Sequence, residues 1–279
     1  KRRIFRYICQ VLLAKKVGDF NKKGIWKPCV YWLKDSERLS KTNGGNIMNN
    51  GKMLVLNDLN VWYTPGKPVL EKLSMELGTN EVIGLIGLNG AGKTTFIKTL
   101  SGLLNTFHVK AAWWQGKPLL FRDREFKEER YVVFAEDHSF QFFTFREYAS
   151  YVAASYGRKL SDINELIHGF HFEEYTDVLL KELSTGNLKK AYLITAFALK
   201  PKLLILDEPV NGLDFQSTEY LYQQIESFRQ YGTILFSSHI LESICLTSDR
   251  VAVLEQGQIK RCFAGQEIKA EKIREVLKE

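Results

Sequence analysis

Gly87-Leu-Asn-Gly-Ala-Gly-Lys-Thr94, continuing into Thr95, decides how this chain is read. An apolar run, Glu81–Gly87 (Glu-Val-Ile-Gly-Leu-Ile-Gly), leads into it, and a helix is predicted to follow over Lys93–Leu104. A strand, a glycine-rich turn and a helix start in that order make a cradle for phosphate. Backbone N–H groups from Gly87, Leu88, Asn89, Gly90, Ala91 and Gly92 surround a dense anion with oriented dipoles, and the helix N-terminus adds its own. Lys93 brings an ammonium to the outer two phosphates of a triphosphate, and Thr94 offers a hydroxyl to Mg²⁺. The glycine spacing and the Gly-Lys-Thr ending do not suit a dinucleotide-binding turn.

A second half of the site lies downstream. Leu203-Leu-Ile-Leu-Asp207-Glu208 is an apolar strand ending in two carboxylates. A parallel sheet delivers such an ending to its carboxyl edge, beside the phosphate loop. There Asp207 holds Mg²⁺ through its water shell, and Glu208, pointing elsewhere, polarises an attacking water.

Outward from these motifs, strands alternate with helices. Leu54–Leu59 and Lys72–Leu77 alternate as half-buried strands around a turn at Thr64-Pro-Gly-Lys-Pro68. Tyr131–Ala135, Lys202–Leu206, Gly232–Phe236 and Arg250–Leu254 are further apolar strands. Helices are expected over Phe145–Tyr156, Asp162–Phe170, Gly186–Leu199 and Ser217–Arg229. The alternation predicts an α/β fold built on a parallel sheet.

The charge is unevenly placed. Of the net +7, residues 1–52 hold 13 Lys and Arg against 3 Asp and Glu, leaving 26 against 29 in residues 53–279. The basic character therefore belongs to an N-terminal extension and linker, and no nucleic-acid partner is expected for the main domain. Within the extension, Arg2–Lys16 reads as a basic amphipathic segment suited to a membrane surface. Gly44-Gly45 followed by Met48 also suggests a natural start at Met48, in which case deleting residues 1–47 leaves folding and turnover intact. The four cysteines, Cys9, Cys29, Cys245 and Cys262, show no metal-binding spacing. No apolar stretch reaches the roughly 18–20 residues of a membrane span.

From Met53 onward the chain resembles the ATP-binding cassette of ABC transporters, on the two motifs above and on Leu183-Ser-Thr-Gly-Asn187, which is similar to that family's Leu-Ser-Gly-Gly-Gln signature. The resemblance implies a P-loop NTPase fold: a RecA-like parallel core, an antiparallel β subdomain and a small helical subdomain at about 137–195. It implies an ATPase whose two copies, identical or not, dimerise head to tail around ATP and Mg²⁺. Ser184, Gly186 and Asn187 of one copy then face the γ-phosphate held by the other. Asn211-Gly-Leu-Asp214 resembles the loop that crosses the dimer seam, and His239 in Ser237-Ser-His resembles the switch histidine. With Glu208 and Lys93, His239 makes up the expected catalytic group. Tyr63 stands where the family stacks an aromatic on adenine, with Trp62 as competitor.

Two motifs depart from the pattern. Thr185 and Asn187 replace a glycine and the glutamine of the signature. In the loop after Tyr131–Ala135, spacing selects Glu136 where the family has a glutamine that meets the metal and the membrane subunit; Gln141 is the rival by residue type. Both departures are similar to exporter cassettes. Phe140-Gln-Phe-Phe-Thr-Phe145 reads either as the docking surface for an integral-membrane permease or as local core. The expected role is the ATPase subunit of a transporter, an exporter by these motifs, at the cytoplasmic face of the membrane. A soluble, nucleotide-switched regulatory protein is the alternative.

Overall fold

The structure, a computed structural model, describes residues 51–278. The expectations for the basic extension and for a start at Met48 lie outside them. Within them, β-pairing is already present at Lys52, which lies opposite Gly78.

The first layer is an antiparallel sheet. β1 (Lys52–Thr64) and β2 (Lys67–Gly78) form a hairpin turning at Pro65-Gly66. β4 (Phe107–Trp114) and the short β5 (Lys117–Pro118) complete it in the order β2-β1-β4-β5. The strands of the hairpin are long but do not keep one face inward throughout. Asp58 (φ 51°) and Lys72 (φ 48°) take left-handed backbone conformations. Across each, the buried positions change phase: Leu54 and Leu56 give way to Leu59 and Val61, and Leu70 to Leu73, Met75 and Leu77. The irregularity is stitched by Asp58 N–H donating to Ser74 Oγ and Lys72 N–H donating to Asn60 Oδ1, both at 3.0 Å.

The second layer is a six-stranded sheet that orders its strands β10-β9-β3-β8-β7-β6. Its members are β3 (Val82–Ile86), β6 (Arg130–Val133), β7 (Leu203–Asp207), β8 (Thr233–Ser238), β9 (Arg250–Glu255) and β10 (Gln258–Ala264). All pairings are parallel except β9 with β10. β7 explains why such strands read as unbroken apolar runs. Leu203 and Ile205 enter the core toward the antiparallel sheet, while Leu204 and Leu206 enter the core on the opposite face.

Helix α1 (Lys93–Leu100) lies between the two sheets, with Phe96, Ile97 and Leu100 fully buried. It ends four residues before the expected Leu104, because Gly102 turns the chain with φ 74°. The short α2 (Arg124–Glu129) precedes β6. On the other face pack α3 (Phe145–Tyr156), α4 (Ile163–Gly169), α5 (Thr185–Leu199), α6 (Phe215–Phe228) and α7 (Leu241–Thr247), and α8 (Ala270–Lys278) closes the described chain. α3 starts where Thr144 and Glu147 form a reciprocal capping box. α5 is buried nearly all round from Lys189 to Leu199. Among the described residues no helix is long and apolar enough to cross a membrane.

Candidate functional site

The phosphate loop leaves β3 between its parallel neighbours β8 and β9. Gly87 is required there by packing: a Cβ would meet the Leu254 carbonyl oxygen of β9 at 2.3 Å. Leu88, Asn89 and Gly90 form the exposed crest, while Ala91 and Gly92 are buried beneath it. Lys93 reaches back under the loop, its Nζ donating to the Gly87 carbonyl at 2.7 Å and lying 3.5 Å from Glu208 Oε1. The ammonium is buried but held by the carbonyls of Gly87 and Leu88 and by a carboxylate. Thr94 is exposed at the helix start; Thr95 is buried. The Tyr63 hydroxyl lies 3.3 Å from Thr95 Oγ1. Tyr63 is thus tied to the phosphate loop by its tip and keeps 55% of its surface exposed, whereas Trp62 is half-buried.

The parallel register brings the carboxyl ends of β7 and β8 level, Asp207 opposite Ser237. Asp207 is almost wholly buried. Its Oδ1 accepts from Ser237 Oγ at 2.6 Å and its Oδ2 accepts from Thr94 Oγ1 at 3.0 Å. A hydroxyl and a carboxylate therefore converge beside the loop, which is the hard-oxygen donor set that Mg²⁺ prefers.

Glu208 turns off the strand with φ 48°, a left-handed conformation unusual for a side chain of this size. That turn swings its carboxylate away from Asp207, as the sequence predicted. Oε1 faces Lys93, and Oε2 lies 2.8 Å from His239 Nδ1 and accepts from the His239 backbone N–H at 3.3 Å. Lys93, Glu208 and His239 thus form one line of contacts at the sheet edge. The arrangement sets a buried carboxylate against a half-exposed imidazole, which a general base oriented by a neighbour would require.

The signature segment opens α5. Ser184 is its N-cap, accepting the Asn187 N–H at 3.2 Å through Oγ. The hydroxyl proton of Ser184 is left to donate outward. Ser184 and Thr185 are exposed; Gly186 and Asn187 are half-buried. Gly186 packs on the loop after β7 so closely that a Cβ would meet the Gly212 carbonyl oxygen at 2.3 Å. Asp214, in that loop, is engaged within the chain. It caps α6 by accepting from the Ser217 backbone at 2.8 Å and pairs with Lys190 Nζ at 2.8 Å. Lys190 and these caps hold its carboxyl far below the usual carboxylate range.

Glu136 is exposed in the loop beyond β6. The backbone carbonyl of its rival Gln141 accepts the Lys181 backbone N–H at 3.0 Å. The aromatic run just beyond divides by position. Phe145 is core, Phe140 and Phe143 pack half-buried against Tyr151, and Phe142 stands 75% exposed beneath the Lys181 ammonium. Phe134, Phe140, Tyr148, Tyr151 and Tyr156 line a cavity of about 340 Å³ beside this loop.

Two contributors were not singled out from the sequence. Ser237 orients Asp207, and its signal was present in the Ser237-Ser-His run. Lys189, in the first turns of α5, donates to the carbonyls of Phe134 and Ala135, and no sequence motif distinguishes it from a surface lysine.

Comparisons with known proteins identify the family. A family model described as ABC transporter matches residues 70–211. AlbC of Bacillus subtilis (strain 168), named as an ABC transporter ATP-binding protein, is 37% identical over 219 residues, 75% of this chain and 90% of its own. The cobalt import ATP-binding protein CbiO of Salmonella typhimurium (strain LT2) is 32% identical over 222 residues, 74% of this chain and 79% of its own. A solved ATP-binding subunit of an ABC transporter superposes with a TM-score of 0.73 at 26% identity, covering 81% of this chain and 100% of that one. Fold, phosphate loop and relatives converge: the chain belongs to the ATP-binding proteins of ABC transporters, the P-loop ATPases that drive transport.

Proposed function

We propose that this chain is one of a pair of ATP-hydrolysing subunits that close on nucleotide and thereby drive a separate integral-membrane permease. The observation that carries the reading is the line Lys93–Glu208–His239 beside Thr94 and Asp207, all at the edge where the phosphate loop leaves the sheet. Lys93 and the N–H groups from Gly87 to Thr95 bind the triphosphate, and Tyr63 offers an exposed face to adenine. Thr94 and Asp207, with Glu136 from the neighbouring loop, would hold Mg²⁺. Its charge, when bound, would offset that of the outer phosphates. Glu208 draws the proton from the attacking water, and His239 keeps the carboxylate aimed.

Exposure supports completion of the site by a second subunit. Leu88 at the loop crest and Ser184 and Thr185 at the start of α5 all face outward. Ser184, Gly186 and Asn187 of one copy close over the phosphates of the other, using the same helix-terminus chemistry as the phosphate loop. Asp214 shapes the seam loop through its cap and its ion pair. The permease docks on the aromatic surface around the exposed Phe142, at the cytoplasmic face of the membrane.

Glu136 and Leu183-Ser-Thr-Gly186 resemble exporter cassettes, so the proposed movement is outward; CbiO, named for import, makes direction the finer question. The test is to tag the chain in its native cell, solubilise membranes and identify the copurifying polypeptides. A multi-span subunit whose ATP-dependent flux requires Glu208 is the expected result. Recovery without any membrane polypeptide would overturn the proposal.

A further inference from the structure

Lys189 and Lys190 are consecutive residues of α5 and are both over nine-tenths buried, at 4% and 6% exposure. Lysine ammoniums are almost never buried to that degree without partners. Their partners lie in different parts of the chain. Lys190 reaches Asp214 in the loop after β7. Lys189 makes no ion pair with a carboxylate among the described residues. Its Nζ instead donates to the carbonyls of Phe134 and Ala135, both at 2.9 Å, where the chain leaves β6 toward Glu136.

We infer that Lys189 is a positioning residue, a latch that fixes the Glu136 loop to the helix opening at Ser184, so that the two respond together. The inference rests on the reading of Glu136 as the residue that meets the metal and the permease. Elementary costs favour a role beyond stability. Burial pushes the Lys189 ammonium down to about 8, against the pull of Asp207, Asp137, Glu208 and Glu136 around it. An apolar side chain of the same length would occupy the space without that desolvation, and the two carbonyls, being only partly buried, could turn to water. What methionine cannot supply is a donor that holds two successive carbonyls at once. The same helix is tied at its next residue to the loop at Asp214. Displacement of the Glu136 loop by a bound permease is thus transmitted to both the signature segment and the seam.

The test uses the full chain with Lys189→Met and Lys189→Arg. Hydrogen exchange is read by mass spectrometry over residues 134–140 and, as reference, over the phosphate loop. Lys189→Met is expected to speed exchange over 134–140 by about tenfold while leaving residues 87–96 unchanged. It is expected to lower kcat about tenfold with KM for ATP moved less than about twofold. Lys189→Arg, which also presents several donors, recovers most of both effects. Unchanged exchange over 134–140, or faster exchange throughout the chain without recovery by arginine, overturns the latch. Glu136→Ala separates the two readings. If that variant turns over ATP like the parent while Lys189→Met still frees the loop, the role given to Glu136 fails and the latch stands.

Discussion

Gly186→Ala is a one-methyl change whose consequence follows from a distance. The added Cβ would lie 2.3 Å from the Gly212 carbonyl oxygen, whereas ordinary contact begins at 3.4 Å. One of the two backbones must therefore withdraw by about 1 Å, since close-packed neighbours transmit strain rather than absorb it. Neither side is free to move. The start of α5 is pinned by the Ser184 cap and by Lys190, and the Gly212 loop by Asp214, which holds both Lys190 and the first turn of α6. Overpacking of this kind costs about 1–3 kcal/mol, and in a domain of this size each kcal/mol lowers Tm by about 2–4 °C. The larger effect falls on turnover, because misplacing a reacting assembly by about 1 Å costs on the order of 100-fold. Phosphate release at saturating Mg-ATP, beside a thermal melt, measures both. Gly157→Ala is the control: its φ is 61° and nothing lies within 4 Å of the added atom. That change strains the end of α3 and is expected to lower Tm slightly without touching kcat. A Gly186→Ala protein with parental turnover, or a control that loses as much, would refute the reasoning.

Three further outcomes are expected. Tyr63→Ala should weaken ATP binding about 5- to 150-fold, the worth of about 1–3 kcal/mol for one stacked nucleobase, while Tyr63→Phe binds nearly as the parent; equilibrium titration with a fluorescent nucleotide decides this. Phe145→Ala should cost about 3–5 kcal/mol because that ring is core, whereas Phe142→Ala should melt as the parent yet fail to copurify the membrane subunit. Asp214→Asn should be less stable than the parent at neutral pH. Because the folded-state pKa of Asp214 is depressed, its contribution is present above the ordinary carboxylate value and is lost as pH falls through the folded value. Melts from pH 7 down to strongly acid conditions should therefore bring the two proteins together, and a constant gap would count against the ion pair with Lys190.

The candidate site was legible in the sequence where its chemistry is local. The phosphate loop joins strand, turn and helix start within a few residues and Leu203–Glu208 is one unbroken apolar strand ending in two acids, so both begin where expected. The bounds expected for α3 from apolar spacing hold, and the structure shows what sets them, the Thr144–Glu147 capping box at one end and Gly157 at the other. β4 was missed for a physical reason. It pairs with β1 across the reversal at Asp58, so burial passes from Phe107 and Val109 to Ala112 and Trp114, and the two-residue period is broken in both strands. The ties that assemble the site were likewise hidden, because they join residues far apart in the chain. Glu208 to His239, Asp207 to Ser237 and Lys189 to Phe134 exist only once the parallel register is set.

The account turns on a pocket that one copy cannot finish. The most direct measurement is the sedimentation-determined mass of full-length Glu208→Gln with saturating Mg-ATP, alone and with its membrane subunit in detergent. The account predicts a dimer that retains ATP and that returns to monomer when nucleotide is removed. ATP bound to a protein that stays single in both conditions would contradict it.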